Sequence, residues 1–197
     1  MANRPTPTNP VAPDFGPNVL IFDSDTPQSK ITSKLSSAYA AADQDPNAQV
    51  EKPSEMASSR CAIFFKSGCN GITYNITVDV GYYMTVHGLG KSPADVTIVG
   101  NVQSLATRTK GSALDSFWRG AENLVIKSST NIWAVSQATY LRRVKVQGGD
   151  LHLCDSRYFY TNKNYSSGGF VADCVIDGEM LAGTQQQFLT RNCTLNR

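Results

Sequence analysis

The chain is expected to be all-β, wound as a parallel β-helix of about five coils behind one N-terminal α-helix. Three observations carry that expectation. Similar stretches recur: "ADVTIVGN" from Ala94, "LRRVKVQGG" from Leu141 and "ADCVIDGE" from Ala172 each hold two apolar residues separated by one, then a turn glycine. Helical periodicity is confined to one segment near the start, and from Cys61 onward short β-rich runs alternate with glycine. The recurrence, near 20 residues with insertions of about ten, is too short for a propeller blade and too β-rich for helical repeats.

Residues 1–18 carry five prolines and no periodicity, and read as an extended arm ahead of a β-helix domain spanning 19–197. In "TPQSKITSKLSSAYAAAD", Thr26 stands as N-cap, Pro27 in the first turn, and Ile31, Leu35, Ala38 and Tyr39 at helical spacing. The helix is expected over roughly 27–43, followed by the polar loop "QDPNAQVEKPSEMASSR". "AIFFKSG", "YNITVDVG", "YYMTVHGLG" and "DVTIVGN" then read as short strands. Aligning apolar pairs gives Val96/Ile98, Leu124/Ile126, Val144/Val146, Cys174/Ile176 and Cys193/Leu195, whose starts differ by 28, 20, 30 and 19 residues. The last pair admits a one-residue slip. A single coil cannot bury its apolar face, but coils stacked about 4.8 Å apart can. Strand alternation sends Arg143, Lys145 and Gln147 outward, in columns with Asp95, Asn123, Asp173 and Asn192, and with Val99, Lys127, Asp177 and Asn196.

Composition excludes several classes. Only 17% of the 197 residues are charged and the net charge is +2, so no strong field points to nucleic acid or an anionic membrane. No apolar run reaches the roughly 18 residues of a membrane helix. The opening "MANRPTPTNPVAP" lacks a signal-peptide core, and fits either a start left after a removed signal or a native cytosolic start. Sequons at Asn75, Asn164 and Asn192, with abundant Asn, Ser, Thr and Gly, favour a secreted glycoprotein. The five cysteines show no zinc spacing, and no metal site is expected. Cys174 and Cys193 fall on matching inward places of successive coils, and are either a disulfide or two buried thiols.

The stretches "AIFFKSG", "VGYYMTVHGLGKSPADVTIVGNV", "FWRGAENLVIK", "NIWAVSQATYLRRVKVQG", "SSGGFVADCVIDG" and "QQQFLTRNCTLN" resemble the pectin-lyase-like family of right-handed β-helix proteins. They look most like a branch of large secreted microbial proteins that often carry borrowed coagulation-factor-5/8-type or adenylyl cyclase labels. No nucleotide loop supports the cyclase label. The resemblance covers about residues 17–197 and implies a capping helix and action on polysaccharide. Members of the branch usually continue for hundreds of residues, whereas this sequence stops within a coil at "TLNR". It is therefore expected to be either a truncated piece or a short relative that self-associates through its open C-terminal coil.

β-Helix enzymes that act on polysaccharides work on an exposed sheet face, hydrolases with paired carboxylates and lyases with Arg or Lys as base and sometimes calcium. Arg143 and Asp173 fall in one outward column, with Asp177, Glu179 and Arg142 nearby; they form either a base flanked by carboxylates or a charge-alternating surface ladder. The insertion "GGDLHLCDSRYFYTNKNYSSGG" gathers His152, Asp155, Arg157, Tyr158 and Tyr160, which suits a sugar-binding loop with Asp155 as a further catalytic carboxylate, or a loop that simply packs down. Trp118 and Trp133 are expected to stack in the interior, with a sugar platform as the alternative, and His87 to be structural. The expected function is a secreted β-helix protein of hydrolase or lyase type, or a non-catalytic carbohydrate-binding or structural unit. No cofactor is needed, save calcium if it is a lyase. The partner is a glycan, with neither nucleic acid nor membrane.

Overall fold

The computed structural model describes residues 13–43, 58–107, 109–161 and 164–196. Residues 1–12 of the expected arm and 44–57 of the polar loop lie outside the described residues. Strand β1 (Val19–Phe22) and helix α1 (Gln28–Asp43) come first. The first coil holds β2 (Cys61–Phe65), β3 (Ile72–Tyr74) and β4 (Val78–Asp79), and the second β5 (Met84–Gly88), β6 (Val96–Val99) and β7 (Val102–Gln103). β8 (Arg119–Lys127) and β9 (Thr130–Ile132) make the third, β10 (Thr139–Gln147) and β11 (Asp150–His152) the fourth. β12 (Phe170–Ala172), β13 (Val175–Ile176) and β14 (Met180–Leu181) complete the fifth, and β15 (Leu189–Arg191) and β16 (Thr194–Leu195) begin another.

The chain is a parallel β-helix with three faces. Face one runs β1-β2-β5-β8-β10-β12-β15. Face two joins β3, β6, the second halves of β8 and β10, β13 and β16. Face three stacks β4 on β7 and β9 on β11 on β14, and the Ser104–Trp133 bridge joins the two sets. The aligned pairs lie in the expected register: Leu124 pairs Val144, Ile126 pairs both Ile98 and Val146, Ile176 pairs Val146 and Leu195. Val96, Leu124 and Cys174 are fully buried and Val144 is 1% exposed. The alignment of one pair per coil overlooked a second inward column, Ile63, Val86, Ala121, Leu141 and Val171 on face one.

Faces one and two meet at single left-handed residues: Asn123 (φ 56°), Arg143 (φ 52°), Asp173 (φ 54°) and Asn192 (φ 50°). These are the residues expected in an outward strand column. They are instead the corner itself, and Asn and Asp suit it because their short polar side chains tolerate this conformation. The turn glycine of the repeat answers two needs: Gly148 is left-handed (φ 76°) with open space around it, whereas a Cβ on Gly100 (φ 135°) would collide with the Ile76 carbonyl of the coil below.

Helix α1 lies against β4, with Ile31, Leu35 and Ala42 buried. Thr26 does not cap it. Its hydroxyl donates to Asp23 Oδ1 at 2.7 Å, and the Pro27 carbonyl receives the first helical N–H groups, those of Lys30 and Ile31.

The Cys174–Cys193 bridge is also absent. Both thiols are free, although the two residues sit on adjacent rungs immediately before the Val175–Thr194 pair. The Cys174 thiol faces the Leu141 and Ala172 carbonyls at 3.6 and 3.1 Å, and that of Cys193 faces Val171 and Arg191 at 3.4 Å each. Parallel stacking holds equivalent Cβ atoms near the strand spacing of about 4.8 Å, beyond the roughly 3.8 Å a disulfide prefers.

Val144→Asp should abolish cooperative thermal melting, because an unpaired carboxylate in this core costs several kcal/mol of a stability of about 5–15. Burial pushes the Cys174 thiol up to about 12 and that of Cys154 in the same direction. Iodoacetamide at mildly alkaline pH should therefore alkylate exposed Cys69 in the native protein and reach Cys154 and Cys174 only on unfolding, as peptide mapping would show.

Candidate functional site

The outer surface of face one gathers the chemistry. Along one column, Phe64, His87, Glu122 and Arg142 are register partners on successive rungs. The Phe64 ring stacks on the His87 imidazole at 4.9 Å and 21°. His87 Nδ1 lies 3.1 Å from Glu122 Oε1, and Arg142 reaches Glu122 Oε2 at 3.4 Å and Asp173 Oδ2 at 3.9 Å. One guanidinium thus holds two carboxylates to within about 10 Å, against about 6.5–9.5 Å for the acid and base of inverting glycosidases. In the neighbouring column Tyr140 pairs with Gly120 and Phe170. A Cβ on Gly120 would collide with the Tyr140 ring, so the ring lies flat over that glycine. Burial pushes the Tyr140 phenol up, nearby Glu122 adds to the rise, and Arg142 opposes it.

The residues singled out from sequence fall in several places. Asp173 joins the face-one group. Arg143 does not act as an outward base: its guanidinium is committed to Asn123 Oδ1 and the Lys91 carbonyl, all at 3.2 Å. Asp177 belongs to the opposite edge of face two, where it accepts from Gly148 N and Asn196 Nδ2 at 3.2 Å and faces Lys145 Nζ at 3.5 Å. It lines a recess of about 250 Å³ with Ser129, Gly148, Gly149, Asp150 and Gly178. A second recess, of about 210 Å³, lies between β1 and α1. Exposed Glu179 donates its backbone N–H to Asp150 Oδ1 at 2.8 Å.

Asp155 is not available as a catalytic carboxylate. It is fully buried and accepts from Arg157 Nε and NH2 at 2.8 and 2.6 Å and from Ala106 N at 2.9 Å, which ties the insertion to the segment that follows β7, two coils earlier. His152 meets Ser156 Oγ at 2.6 Å on face three, and burial lowers its pKa against the opposing pull of Asp150 and Glu179. Arg157 leans over the Tyr158 ring at 5.5 Å, and Tyr160 is fully exposed; Gly148, Gly149 and Asp150 at the start of the insertion border the larger recess, but Asp155, Arg157, Tyr158 and Tyr160 line neither. Of the sequons, Asn75 and Asn192 are exposed, but Asn164 is 4% exposed with its amide nitrogen over Cys154 Sγ, so the folded chain withholds it. Trp133 is buried as expected, whereas Trp118 is only half-buried. No cluster of three or more metal-ligating side chains occurs among the described residues, and no helix among them is long and apolar enough to cross a membrane.

Sequence reasoning missed Glu122 and Tyr140 and read His87 as structural. The signal was present: the residue after the second apolar column, in "AENL" and "LRRV", points outward on face one.

No protein-family model matches the chain. It is 38% identical over 185 residues to an exo-β-1,3-glucanase of Streptomyces sp. (strain SirexAA-E / ActE), a match that covers 92% of this chain and 27% of the glucanase. The solved structure of sacteLam55A from Streptomyces sp. SirexAA-E superposes with a TM-score of 0.78 at 38% identity, over 93% of this chain and 30% of that one. A variant of sacteLam55A in complex with glucose matches equally, with a TM-score of 0.78 over 94% of this chain. The chain thus spans less than a third of the length of the relatives it matches.

Asp155→Asn should lower stability by about 3 kcal/mol, read as a reduced melting temperature, because it leaves the Arg157 guanidinium facing a buried neutral amide. Asp173→Asn, at an exposed carboxylate, should leave melting within about 0.5 kcal/mol of the parent.

Proposed function

We propose that this chain is a secreted β-helix of the glycoside hydrolase type that acts on a neutral β-1,3-glucan along the outer surface of face one. The observation that carries the reading is the 38% identity, over nearly the whole chain, to an exo-β-1,3-glucanase of the same fold. Tyr140 and Phe170 offer apolar surface to pyranose rings, and Glu122 and Asp173 are the carboxylate pair. His87 orients Glu122, and Arg142 balances the charge of both carboxylates. Hydrolysis by an acid and a base needs no cofactor. Lyase elimination needs a uronic acid, which a neutral glucan lacks, so calcium has no part. The exposed sequons Asn75 and Asn192 and the resemblance to a secreted pectin-lyase-like branch support an extracellular site of action.

A second reading, a non-catalytic glucan-binding unit, is favoured by one observation: Arg142 occupies the space between the two carboxylates, where a hydrolytic water would need room. One experiment separates the two. Calorimetric titration with β-1,3-gluco-oligosaccharides, run beside polygalacturonate, should show binding to the former only, with reducing sugar released and no unsaturated product. Glu122→Gln and Asp173→Asn should each cut release by about a hundredfold or more. Binding without release selects the second reading, and no binding to any β-1,3-glucan rejects both.

A further inference from the structure

At the edge of face one opposite the Asn123 corner, a second column of left-handed residues runs through Tyr83 (φ 54°), Trp118 (φ 46°), Ala138 (φ 57°), Gly168 (φ 101°) and Gln187 (φ 56°). The adjoining strands fix their stacking, since Met84 pairs Arg119 and Thr139 pairs Arg119. Rung on rung, the Arg60 guanidinium lies 3.3 Å from the Tyr83 ring centroid, and the Tyr83 and Trp118 rings stack at 5.0 Å and 9°. Phe117 leans against Trp118 at 54°. The stack ends there. Ala138, the next position, is exposed and carries no side chain that could continue it, while Gln137 packs against buried Gly168 one rung further, which leaves about one strand spacing, roughly 5 Å, beyond Trp118.

Amide side chains border that gap. Exposed Gln137 and Gln187 each have the amide oxygen engaged, by Ser136 Oγ at 2.5 Å and by Ser167 Oγ at 3.5 Å. Their NH2 groups make no protein hydrogen bond within the described residues. An aromatic face bordered by free amide donors matches the two surfaces of a pyranose ring, apolar C–H groups on its face and hydroxyl oxygens at its edge. A bulky aromatic in the left-handed region is costly, about 1–2 kcal/mol, where glycine or asparagine would serve.

We propose that the outward face of Trp118, with the amide groups of Gln137 and Gln187, is a stacking subsite for one glucose ring of a β-1,3-glucan. The subsite rests on the glucan reading above and extends it. Three residues of strand β8 lie between Trp118 and Glu122, so the two are four strand steps, about 13 Å, apart, and a glucan crossing face one meets the platform and the carboxylates together.

The test titrates the full chain with a β-1,3-linked glucotriose. Trp133 is buried, so emission quenched by acrylamide comes from Trp118, and the sugar should protect it. Trp118→Ala should weaken binding about tenfold, or about 1.4 kcal/mol. Ala138→Phe, which fills the gap at a corner that already holds Tyr83 and Trp118, should weaken it similarly while the melting temperature holds. Should Trp118→Ala fail to fold, Ala138→Phe alone decides. Folded variants that bind within about twofold of the parent overturn the subsite and leave the glucan reading standing. A parent that binds no β-1,3-glucan overturns both.

Discussion

From the third coil on, a single left-handed residue per coil, at the corner between faces one and two, sets what the other side chains of those coils can do. A continuous strand alternates its side chains, in and out, along its whole length. Inserting one residue at φ near 50° turns the chain onto a new face and restarts the alternation, while the parallel ladder continues on both sides. The conformation costs about 1–2 kcal/mol for an ordinary residue and least for Asn and Asp. The structure recovers that cost through side chains that tie rungs together: Asn123 Nδ2 donates to the Gly88 and Gly90 carbonyls at 2.8 Å, and Asn192 Nδ2 to Asp173 Oδ1 at 3.2 Å. Arg143, the misfit by residue type, reaches down to Asn123 and so joins the same ladder.

From this corner follows the position of the site. In "LRRV", Leu141 points in, Arg142 out, Arg143 turns the corner and Val144 points in again. The inward residues are thus three apart across the corner and two apart elsewhere. Glu122 and Arg142 become register partners on one outward surface, and Asp173, at the corner one coil later, comes within reach of Arg142.

The sequence disclosed the coil-to-coil register of face two and the capping helix, since both depend on periodicity: apolar pairs at spacing two and a stripe at helical spacing. Even the uncertain last pair stacks as aligned, with Ile176 on Leu195. Face one stayed hidden because its inward residues include small Ala121 and lie on the far side of a corner that no strand pattern announces. The candidate site inherited that error. With the corner read as part of a strand, Arg143 stood where Arg142 belongs and Glu122 went unnoticed. Asp155 misled for another reason: an acidic residue in a polar insertion gives no sign in sequence that an Arg two residues on will bury it.

The charges on face one also bear on the kind of sugar it suits. His87, Glu122, Arg142 and Asp173 form one connected chain in which each carboxylate already faces a cation. A surface that recognises a uronic-acid polymer needs cations left over for the substrate's own carboxylates. Here Arg142 is shared between two acids, and the next register position, buried Ala172, brings no charge; exposed Arg191, one rung further, stands outside this group. The balanced group of His87, Glu122, Arg142 and Asp173 gains little from an anionic polymer and depends on contacts that a neutral sugar also makes: ring stacking at Tyr140 and hydrogen bonds to fixed polar groups. Those contacts are short-ranged and weakly screened by salt, so glucan affinity on this face should change little with ionic strength, whereas binding of an anionic polymer would fall steeply. The modest net charge of +2 over the whole chain is in keeping with a partner that carries no charge of its own.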